Sequence, residues 1–333
     1  MSTEPDTQVD TAAPGPSAGQ TQAEIDEWIR ARAARAAIGP IAGITAVHQT
    51  PWSTVLAVAA GTKRLYFKAV WPPQRHEASA TALLAWRSPH HVPPVVAVDA
   101  DRGWMLLEDG GEPLKRRDAA GQLALLPQAV RQYAELQVAW ASRIGDLLSA
   151  GVPDRRDLGP HLDRLIAGYP SEREDTLTEA ELVGLGELAR ELPSIERRLA
   201  AVQPASIDHG DLHCGNILVD TGNCTRVFDW GDVSVASPFL SLATLLESLE
   251  ESLALAAGDA SLDRIVDEYL APFGTLSGPS DVGALVREAR VLGSVSRAVT
   301  WNHIATHVPP EDRAAFPDPV ASSLRDGLRL LAR

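Results

Sequence analysis

The spacing of hydrophobic residues changes along the chain, from a pattern typical of strands to one typical of helices. Short runs rich in Val, Leu, Tyr and Phe alternate with turn residues over about residues 41–108. This pattern predicts antiparallel strands near 43–49, 54–59, 64–70, 95–98 and 104–107. A helix is expected before them, because Thr21 and Glu24 fit a capping box and apolar residues then recur at helical spacing. A second helix is expected from Arg75 to Trp86.

Beyond Asp118 most apolar residues recur three and four positions apart, as they do on the buried face of a helix. Helices are predicted at Ala129–Ile144, Glu179–Val202, 240–256, 261–270, 281–306 and 319–332. One segment differs, because Ile217–Val219 and Val227–Phe228 are short apolar runs on either side of Gly222-Asn223. A glycine-containing turn between two such runs predicts a β-hairpin.

Together these patterns predict an α+β fold of two lobes. The N-terminal lobe, 21–108, is expected to combine a helix with an antiparallel sheet, and the C-terminal lobe, 109–333, to be helical. Residues 1–20 are rich in Pro, Gly, Ser, Thr and acids, which predicts a disordered tail. The tail lacks the basic and apolar regions of a secretory signal, and the chain lacks an apolar run of membrane-spanning length. A cytoplasmic location is therefore expected.

The charge of the chain narrows the classes of partner. The formal net charge is −14. Nucleic acids and anionic membranes both require a basic surface, so neither is an expected partner. Cys214 and Cys224 are predicted to be free thiols, as in a reducing compartment. Composition leaves the oligomeric state open.

Two short blocks carry the candidate chemistry. Residues 209–216 have the spacing H-x-D-x-x-x-x-N, and Asp229, Trp230 and Gly231 follow after thirteen residues. Kinase-type phosphoryl transfer requires a carboxylate at the attacking hydroxyl, and an amide oxygen and a second carboxylate on magnesium. Kinase signatures place these groups in this order. The predicted hairpin would bring Asn216 and Asp229 to one end, where both could hold one metal ion.

The chain has only three lysines, Lys63, Lys68 and Lys115, so a lysine within an apolar strand is a strong candidate. Lys68 lies late in the third predicted strand, where kinases place a phosphate-binding lysine. Glu77, nine residues later in a predicted helix, could hold Lys68 by an ion pair. The break that begins at Glu108 is a candidate hinge whose backbone could bind an adenine.

These features resemble the aminoglycoside phosphotransferase family of small-molecule kinases, which implies a protein-kinase-like fold and ATP and magnesium as co-substrate and cofactor. The resemblance is specific at 209–216 and 229–231. It implies that Asp211 accepts or orients the proton of a hydroxyl on a small acceptor molecule. It implies that Asn216 and Asp229 hold magnesium. It also implies that Lys68, braced by Glu77, contacts the nucleotide phosphates.

Two further histidines are assigned by the same resemblance. His209 is expected to fix the loop by hydrogen bonds rather than to act as a base. His213 is expected either to line the site or to pack behind it.

Three departures from protein kinases are visible. The loop at 49–54 has no glycine, so the hydroxyl of Ser53 or Thr54 and nearby backbone amides are candidates to cover the phosphates. Gly210 replaces the Arg of H-R-D, and no A-P-E segment follows Asp229. Both favour a small-molecule acceptor over a protein. Asp208 stands where the family tends to have an apolar residue, and the sequence gives no reason for it.

The acceptor itself is left open between an aminoglycoside or amino sugar and a neutral sugar or other metabolite. Nine acids and one base lie between Asp229 and Glu268, and an acidic wall would favour a cationic acceptor. Asp232 is the candidate contact, whereas Glu247 and Glu251 fall on the polar side of a predicted helix. A catalytically silent nucleotide-binding protein is the alternative from another class.

Overall fold

The computed structural model describes residues 21–169, 176–256, 258–274, 281–308 and 319–332. The predicted tail at 1–20 lies outside the described residues. The first described element is helix α1 (Gln22–Arg35), which begins at the expected capping box: the Thr21 hydroxyl accepts from the Glu24 amide, and the Glu24 carboxylate accepts from the Thr21 amide at 2.7 Å.

The N-terminal lobe is a five-stranded antiparallel sheet with the order β1-β2-β3-β5-β4. Its strands confirm the predicted alternation and are β1 (Ile41–Thr50), β2 (Ser53–Ala60), β3 (Lys63–Val70), β4 (Val95–Asp99) and β5 (Trp104–Glu108). One face of the sheet packs under α1, where Trp28 meets Phe67 and Trp104 edge to face. Because side chains alternate along a strand, the other face is left for the centre of the molecule.

Helix α2 (His76–Arg87) follows β3 after a single 3-10 turn, Pro72–Gln74. Its prediction was accurate to one residue at each end. The helix buries Ala80 and Leu84 in the main core, so it joins the sheet to the helical lobe.

The C-terminal lobe is mainly helical, and its helices enclose the largest apolar core of the described residues. They are α3 (Ala119–Trp140), α4 (Ile144–Ser149), α5 (Gly159–Ala167), α6 (Glu179–Val202), α7 (Phe239–Ser252), α8 (Ala260–Leu270), α9 (Val282–His307) and α10 (Val320–Leu331). Helix α3 differs from the prediction of Ala129–Ile144: it begins at an Asp118 cap, runs through the buried Pro127 and ends at Trp140. The lost hydrogen bond at Pro127 is outweighed by the burial of that face.

Short strands support the loops that carry the two sequence blocks. The predicted hairpin is confirmed as β8 (Ile217–Val219) and β9 (Thr225–Val227), and β6 (Glu112–Pro113) pairs with β8. A separate pair is formed by β7 (Ser206–Asp208) and β10 (Ser234–Ala236). The block 209–216 connects β7 to β8, and the block 229–231 lies between β9 and β10. Both blocks therefore begin and end at these two small sheets. Within the described ranges, no helix is long and apolar enough to span a membrane.

Candidate active site

A cavity of about 470 Å³ lies between the sheet and the helical lobe. Strand alternation decides which residues of β3 face it. Leu65 and Phe67 pack beneath α1, whereas Tyr66, Lys68 and Val70 line the cavity. The lysine that the sequence singled out therefore points to the cleft between the lobes.

Lys68 forms two ion pairs, one with Glu77 of its own lobe and one with Asp229 of the helical lobe. Its Nζ donates to Oε1 of Glu77 at 2.7 Å and to Oδ1 of Asp229 at 2.6 Å. Burial alone would lower the pKa of Lys68, but the two carboxylates outweigh it and hold that pKa above its ordinary value. Burial raises the pKa of Glu77 to about 7 against the attraction of Lys68. The Lys68 ammonium in turn outweighs the effect of burial on Asp229, whose pKa is lowered.

The backbone at Asp229 is left-handed, with φ 65° and ψ 64°. A non-glycine residue in this region carries strain on the order of 1 kcal/mol or more, and such strain concentrates at functional sites. Gly231 packs closely against the N-terminal lobe. A Cβ added at this residue would lie 3.3 Å from Oε2 of Glu77 and 3.4 Å from Nε2 of Gln74. The turn thus brings the Asp229 carboxylate to Lys68 while its backbone passes against α2.

The loop at 209–211 is held by hydrogen bonds of its histidine. Nδ1 of His209 accepts the Asp211 amide at 3.3 Å, so Nε2 carries the proton and donates to the Phe228 carbonyl at 2.9 Å. Burial lowers the pKa of His209, which keeps the ring neutral. Gly210 has φ +79°, and a Cβ there would lie 2.3 Å from the Asp232 carbonyl oxygen. This close approach explains why glycine stands where protein kinases have arginine.

Asn216 and His213 both contact the Asp211 carboxylate. Nδ2 of Asn216 donates to the Asp211 carbonyl at 2.8 Å and to its Oδ2 at 3.2 Å. His213 accepts the Gly215 amide at Nδ1, so its Nε2 proton faces the same Oδ2 at 3.3 Å. Two donors thus fix one carboxylate oxygen, and the amide oxygen of Asn216 is left as a ligand for a cation.

Both cysteines are free, as predicted. Cys214 is buried within this loop, and burial raises the pKa of its thiol to about 12. It is a packing residue rather than a nucleophile.

Asp208, which no sequence pattern explained, is buried behind the loop. Its carboxylate accepts from the hydroxyls of Ser241 at 2.6 Å and Ser234 at 3.3 Å. The hydroxyl oxygens of Ser241 and Tyr133 also accept a hydrogen bond from the His209 amide, at 3.1 and 3.0 Å. This polar network orients the start of the loop from within the core. The sequence feature that could have indicated this network is the presence of Ser241 and Tyr133 on otherwise apolar helix faces.

Asp232 lines the cavity and contacts the N-terminal lobe. Its Oδ1 accepts from Nε2 of Gln74 at 3.0 Å. Burial, together with the charges of Asp211 and Asp229, raises the pKa of Asp232 to about 7, and the guanidinium of Arg155 opposes the rise. The carboxyl therefore changes charge near neutral pH.

The hinge end of the cleft is apolar with backbone groups at its edge. The side chain of Glu108 turns outward to Lys63, at 2.8 Å, so its backbone is the part that faces the cleft. The Asp109 side chain accepts a hydrogen bond from the Gly111 amide at 3.0 Å. Gly111 has φ +114°, and a Cβ added there would lie 2.3 Å from the Val219 carbonyl oxygen. The flat apolar walls are formed by Pro93, Leu107, Leu218 and Phe228.

Ser53 lines the cavity next to a tight turn, but its amide already has a partner. Thr50 pairs with Ser53 across the β1–β2 turn, and the Thr50 hydroxyl accepts the Ser53 amide at 3.0 Å. The Ser53 hydroxyl lies 3.3 Å from that of Thr50. Because its amide is used within the turn, the Ser53 hydroxyl is the group of this residue that could contact a ligand, and neither Thr50 nor the other candidate, Thr54, lines the cavity.

An aromatic contact closes the cleft near Asp232, and the sequence did not predict it. Trp52, at the β1–β2 turn, meets Trp301 of α9 edge to face at 6.2 Å between ring centroids. Both line the cavity together with Ile304. Trp71 is buried against Ile304 and Val308 below them. Two distant segments build this wall, so no local sequence pattern could reveal it.

Few of the nine acids between Asp229 and Glu268 reach the cleft. Asp229 and Asp232 line it. Glu250 instead pairs with Arg290 at 2.6 Å, and Glu268 is paired with Arg131. The acids that line the cavity come from separate parts of the sequence, and they are Glu77, Glu108, Asp109, Glu112, Asp211, Asp229 and Asp232.

Fold and site together define a small-molecule kinase of the two-lobed type. A family model described as the phosphotransferase enzyme family matches residues 58–277, more than half of the chain. The chain belongs to this family, and the predicted resemblance is confirmed. No curated protein matches the sequence at a significant level.

Solved structures of related kinases share the fold at low sequence identity. The choline kinase LicA from Streptococcus pneumoniae is 12% identical with a TM-score of 0.62, over 92% of this chain and 99% of its own. An aminoglycoside phosphotransferase from Streptomyces rimosus in complex with ADP and streptomycin is 20% identical with a TM-score of 0.54, over 82% and 98%. A choline/ethanolamine kinase family protein from Mesorhizobium loti is 21% identical with a TM-score of 0.55, over 92% and 98%.

Proposed function

We propose that this kinase transfers the γ-phosphoryl group of ATP, with magnesium, to a hydroxyl of a small cationic molecule. The observation that carries the proposal is the meeting of Lys68, Glu77, Asp211 and Asp229 at one cleft. Phosphoryl transfer depends on positioning and charge stabilisation rather than on covalent chemistry by the protein. The cleft supplies one cation for the phosphates and one carboxylate for the attacking hydroxyl.

The donor set fits a magnesium ion. Within the described residues, no group of three or more His, Cys, Asp or Glu could hold a metal by itself. Magnesium in kinases is held by only one or two protein oxygens together with substrate phosphates and water. Asn216 would contribute its amide oxygen and Asp229 its carboxylate. When bound, the ion would neutralise charge on the phosphates.

Asp211 would accept or orient the proton of the acceptor hydroxyl. Its Oδ2 is held by Asn216 and His213, which leaves Oδ1 for the incoming hydroxyl. His209 is buried and neutral, and its Nε2 proton is directed at a backbone carbonyl. The loop histidine is therefore assigned a positioning role and Asp211 the proton-handling role.

The nucleotide would enter from the hinge side. The apolar walls beside the backbone at Glu108 suit a flat base, and Lys68 lies deeper, where the phosphates would follow. The hydroxyl of Ser53 would cover the phosphates from the β1–β2 turn. Such an enzyme needs cellular ATP, and its two free cysteines suit a reducing compartment, so a cytoplasmic location is proposed.

The charge and shape of the inner cleft support a cationic acceptor. Four carboxylates, those of Glu77, Asp211, Asp229 and Asp232, face the cations of Lys68 and Arg155, which gives a formal local charge of −2 (2 minus 4). The aromatic wall of Trp52 and Trp301 adds faces on which an ammonium group can rest. Structures similar to this chain include a choline kinase and an enzyme bound to streptomycin. Choline and streptomycin both carry positive charge.

A panel of acceptors tests the proposal. Streptomycin, choline, glucosamine and the neutral sugar glucose would each be incubated with radiolabelled ATP and magnesium. We expect phosphorylated product with at least one cationic acceptor and a much lower kcat/KM with glucose. Preferred turnover of glucose would reject the cationic class, and nucleotide binding without turnover of any hydroxylated acceptor would favour a silent nucleotide-binding protein.

A further inference from the structure

Gln74 connects the N-terminal lobe to the acceptor end of the cleft. It lies in the 3-10 turn Pro72–Gln74 and is only 8% exposed. Its Nε2 donates to Oδ1 of Asp232 at 3.0 Å and lies 3.4 Å from the Gly231 carbonyl oxygen. One amide group from the N-terminal lobe thus contacts both the backbone and the carboxylate of the segment after Asp229.

The orientation of this amide is set by a tryptophan. The indole Nε1 of Trp71, a donor only, contacts Oε1 of Gln74 at 2.8 Å. The Gln74 oxygen must therefore face Trp71, and its NH₂ group must face Asp232. Rotating the amide by half a turn would place two donors together at Trp71 and two acceptors together at Asp232. The buried chain Trp71–Gln74–Asp232 consequently has one favourable arrangement.

Asp232 needs such a partner because of the charges around it. Asp211, Asp229 and Glu77 face it with like charge, while Arg155 and Lys68 attract it. Arg155 is itself held by α9, where its Nη1 donates to the Thr300 hydroxyl at 2.6 Å. The amide of Gln74 is thus the direct hydrogen-bond donor that fixes Oδ1 and leaves Oδ2 for a ligand.

We infer that Gln74 is a positioning residue that aims the Asp232 carboxylate at the cationic group of the acceptor. The inference rests on the proposed function, in which Asp232 contacts that group. It adds that acceptor affinity depends on a residue of the N-terminal lobe, so acceptor binding and closure of the two lobes are linked. In this role Gln74 acts on the acceptor through the Asp232 carboxylate.

Kinetics of Gln74→Met and Gln74→Glu test the inference with whichever of streptomycin, choline and glucosamine is turned over. Met keeps the length of the side chain but removes the donor, and the KM for the acceptor should rise about tenfold, as for a lost hydrogen bond to a charged group. Glu keeps an acceptor for Trp71 but places a carboxylate against Asp232, so the KM should rise further. The KM for ATP should change less than twofold in both variants.

Gln122→Met is the matched control. Gln122 is also 8% exposed, and its Nε2 donates to the Arg117 carbonyl at 2.8 Å, away from the cleft. This variant should leave both KM values unchanged. Equal changes in the two KM values for both Gln74 variants, or no change in either, would overturn the inference.

Asp232→Asn separates this inference from the proposed function. If Asp232→Asn raises the acceptor KM and neither Gln74 variant does, Gln74 is not a positioning residue although the acceptor site stands. If Asp232→Asn itself leaves the acceptor KM unchanged, the acceptor role of Asp232 fails, and the role of Gln74 fails with it. A pH profile of kcat/KM for the acceptor adds a second readout: its rising limb should move to higher pH in Gln74→Met, because the lost donor had stabilised the charged carboxylate.

Discussion

Lys68 shows how much one side chain can depend on its surroundings. Its side chain is 14% exposed and pairs with Glu77, whose side chain is 3% exposed. Lys63, five residues away and also in an ion pair, has a side chain that is 53% exposed. The two pairs have similar distances, 2.7 and 2.8 Å. Their environments differ, because removing one partner of a buried pair leaves an uncompensated charge, while an exposed pair contributes little.

Replacement of each lysine by methionine should separate these two cases. Lys68→Met should lower the free energy of unfolding by about 1–3 kcal/mol, since Glu77 and Asp229 then face each other without a cation. Its kcat/KM for ATP should fall by at least about a hundredfold. Lys63→Met should cost less than about 1 kcal/mol and spare activity. Urea unfolding and steady-state kinetics measure both effects, and equal behaviour of the two variants would contradict the buried role of Lys68.

Asp232 allows a prediction about pH. Its folded-state pKa, about 7, lies above the ordinary value of 3.8. The protonated carboxyl therefore suits the folded protein. The stability that it contributes is fully present below about pH 3.8 and is lost as the pH rises from there through about 7. A cation, by contrast, binds only the ionised form, so acceptor affinity should increase over the same interval.

Asp232→Asn should consequently be more stable and less active. At pH 8 its Tm should exceed that of the unmodified protein by roughly 2–4 °C, the shift that about 1 kcal/mol produces in a protein of this size class. Below about pH 3.8 the difference in Tm should largely disappear, because Asp232 is then mainly protonated in both the folded and the unfolded protein. Asp101→Asn, in the exposed turn between β4 and β5, is the control and should shift Tm at neither pH. A lower Tm of Asp232→Asn at pH 8 would refute the raised pKa.

At the level of elements, the loop between β7 and the 3-10 turn Cys214–Asn216 depends on a single glycine. Gly210 combines φ +79° with a close approach to the Asp232 carbonyl. The loop and the turn after Asp229 are thus in backbone contact, so the carboxylates of Asp211 and Asp229 are placed relative to each other by main-chain packing.

Gly210→Ala should disrupt this contact. The left-handed backbone alone costs an alanine about 1–2 kcal/mol, and steric overlap at 2.3 Å adds to it. We expect a total loss of at least about 3 kcal/mol in urea unfolding, with a fall in kcat. Gly258 is a control for strain alone, because it has φ +83° and nothing within 4 Å of a hypothetical Cβ. If both alanine variants lose the same stability and activity, backbone strain rather than close packing explains Gly210.

For the whole molecule, the central feature is a cleft whose two sides come from different lobes. Lys68 reaches across to Asp229, Gln74 reaches across to Asp232, and Trp52 packs on Trp301. A ligand that binds between the lobes should therefore stabilise the entire fold by mass action.

Thermal unfolding with magnesium and a non-hydrolysable ATP analogue should reveal this linkage. At a ligand concentration of 100 times Kd the gain should be about 2.7 kcal/mol. Asp211→Asn should keep this gain while kcat falls by roughly a hundred- to ten-thousandfold, as expected for loss of a general acid–base group. Asp229→Ala should lose the gain, because it removes the proposed metal ligand. The same gain without magnesium would contradict the metal site.

The sequence by itself determined the order of strands and helices and the two blocks of chemistry. Strand and helix periods depend on local backbone geometry, so they could be read from the spacing of apolar residues. The blocks at 209–216 and 229–231 were recognisable because their chemistry needs particular residue types a few positions apart. Prediction failed where packing overrode a local signal, as at Pro127, which lies inside α3 rather than before it.

Only the tertiary structure decided which distant residues meet. Lys68 and Asp229 are 161 positions apart, and Gln74 and Asp232 are 158 apart. It also decided that Asp208 is buried in a hydroxyl network. These contacts depend on how the two lobes pack together, and that packing is a sum over many weak contacts that no short window of sequence contains. The sequence therefore determines which chemical groups are available, and the assembled cleft determines their orientation and their charge.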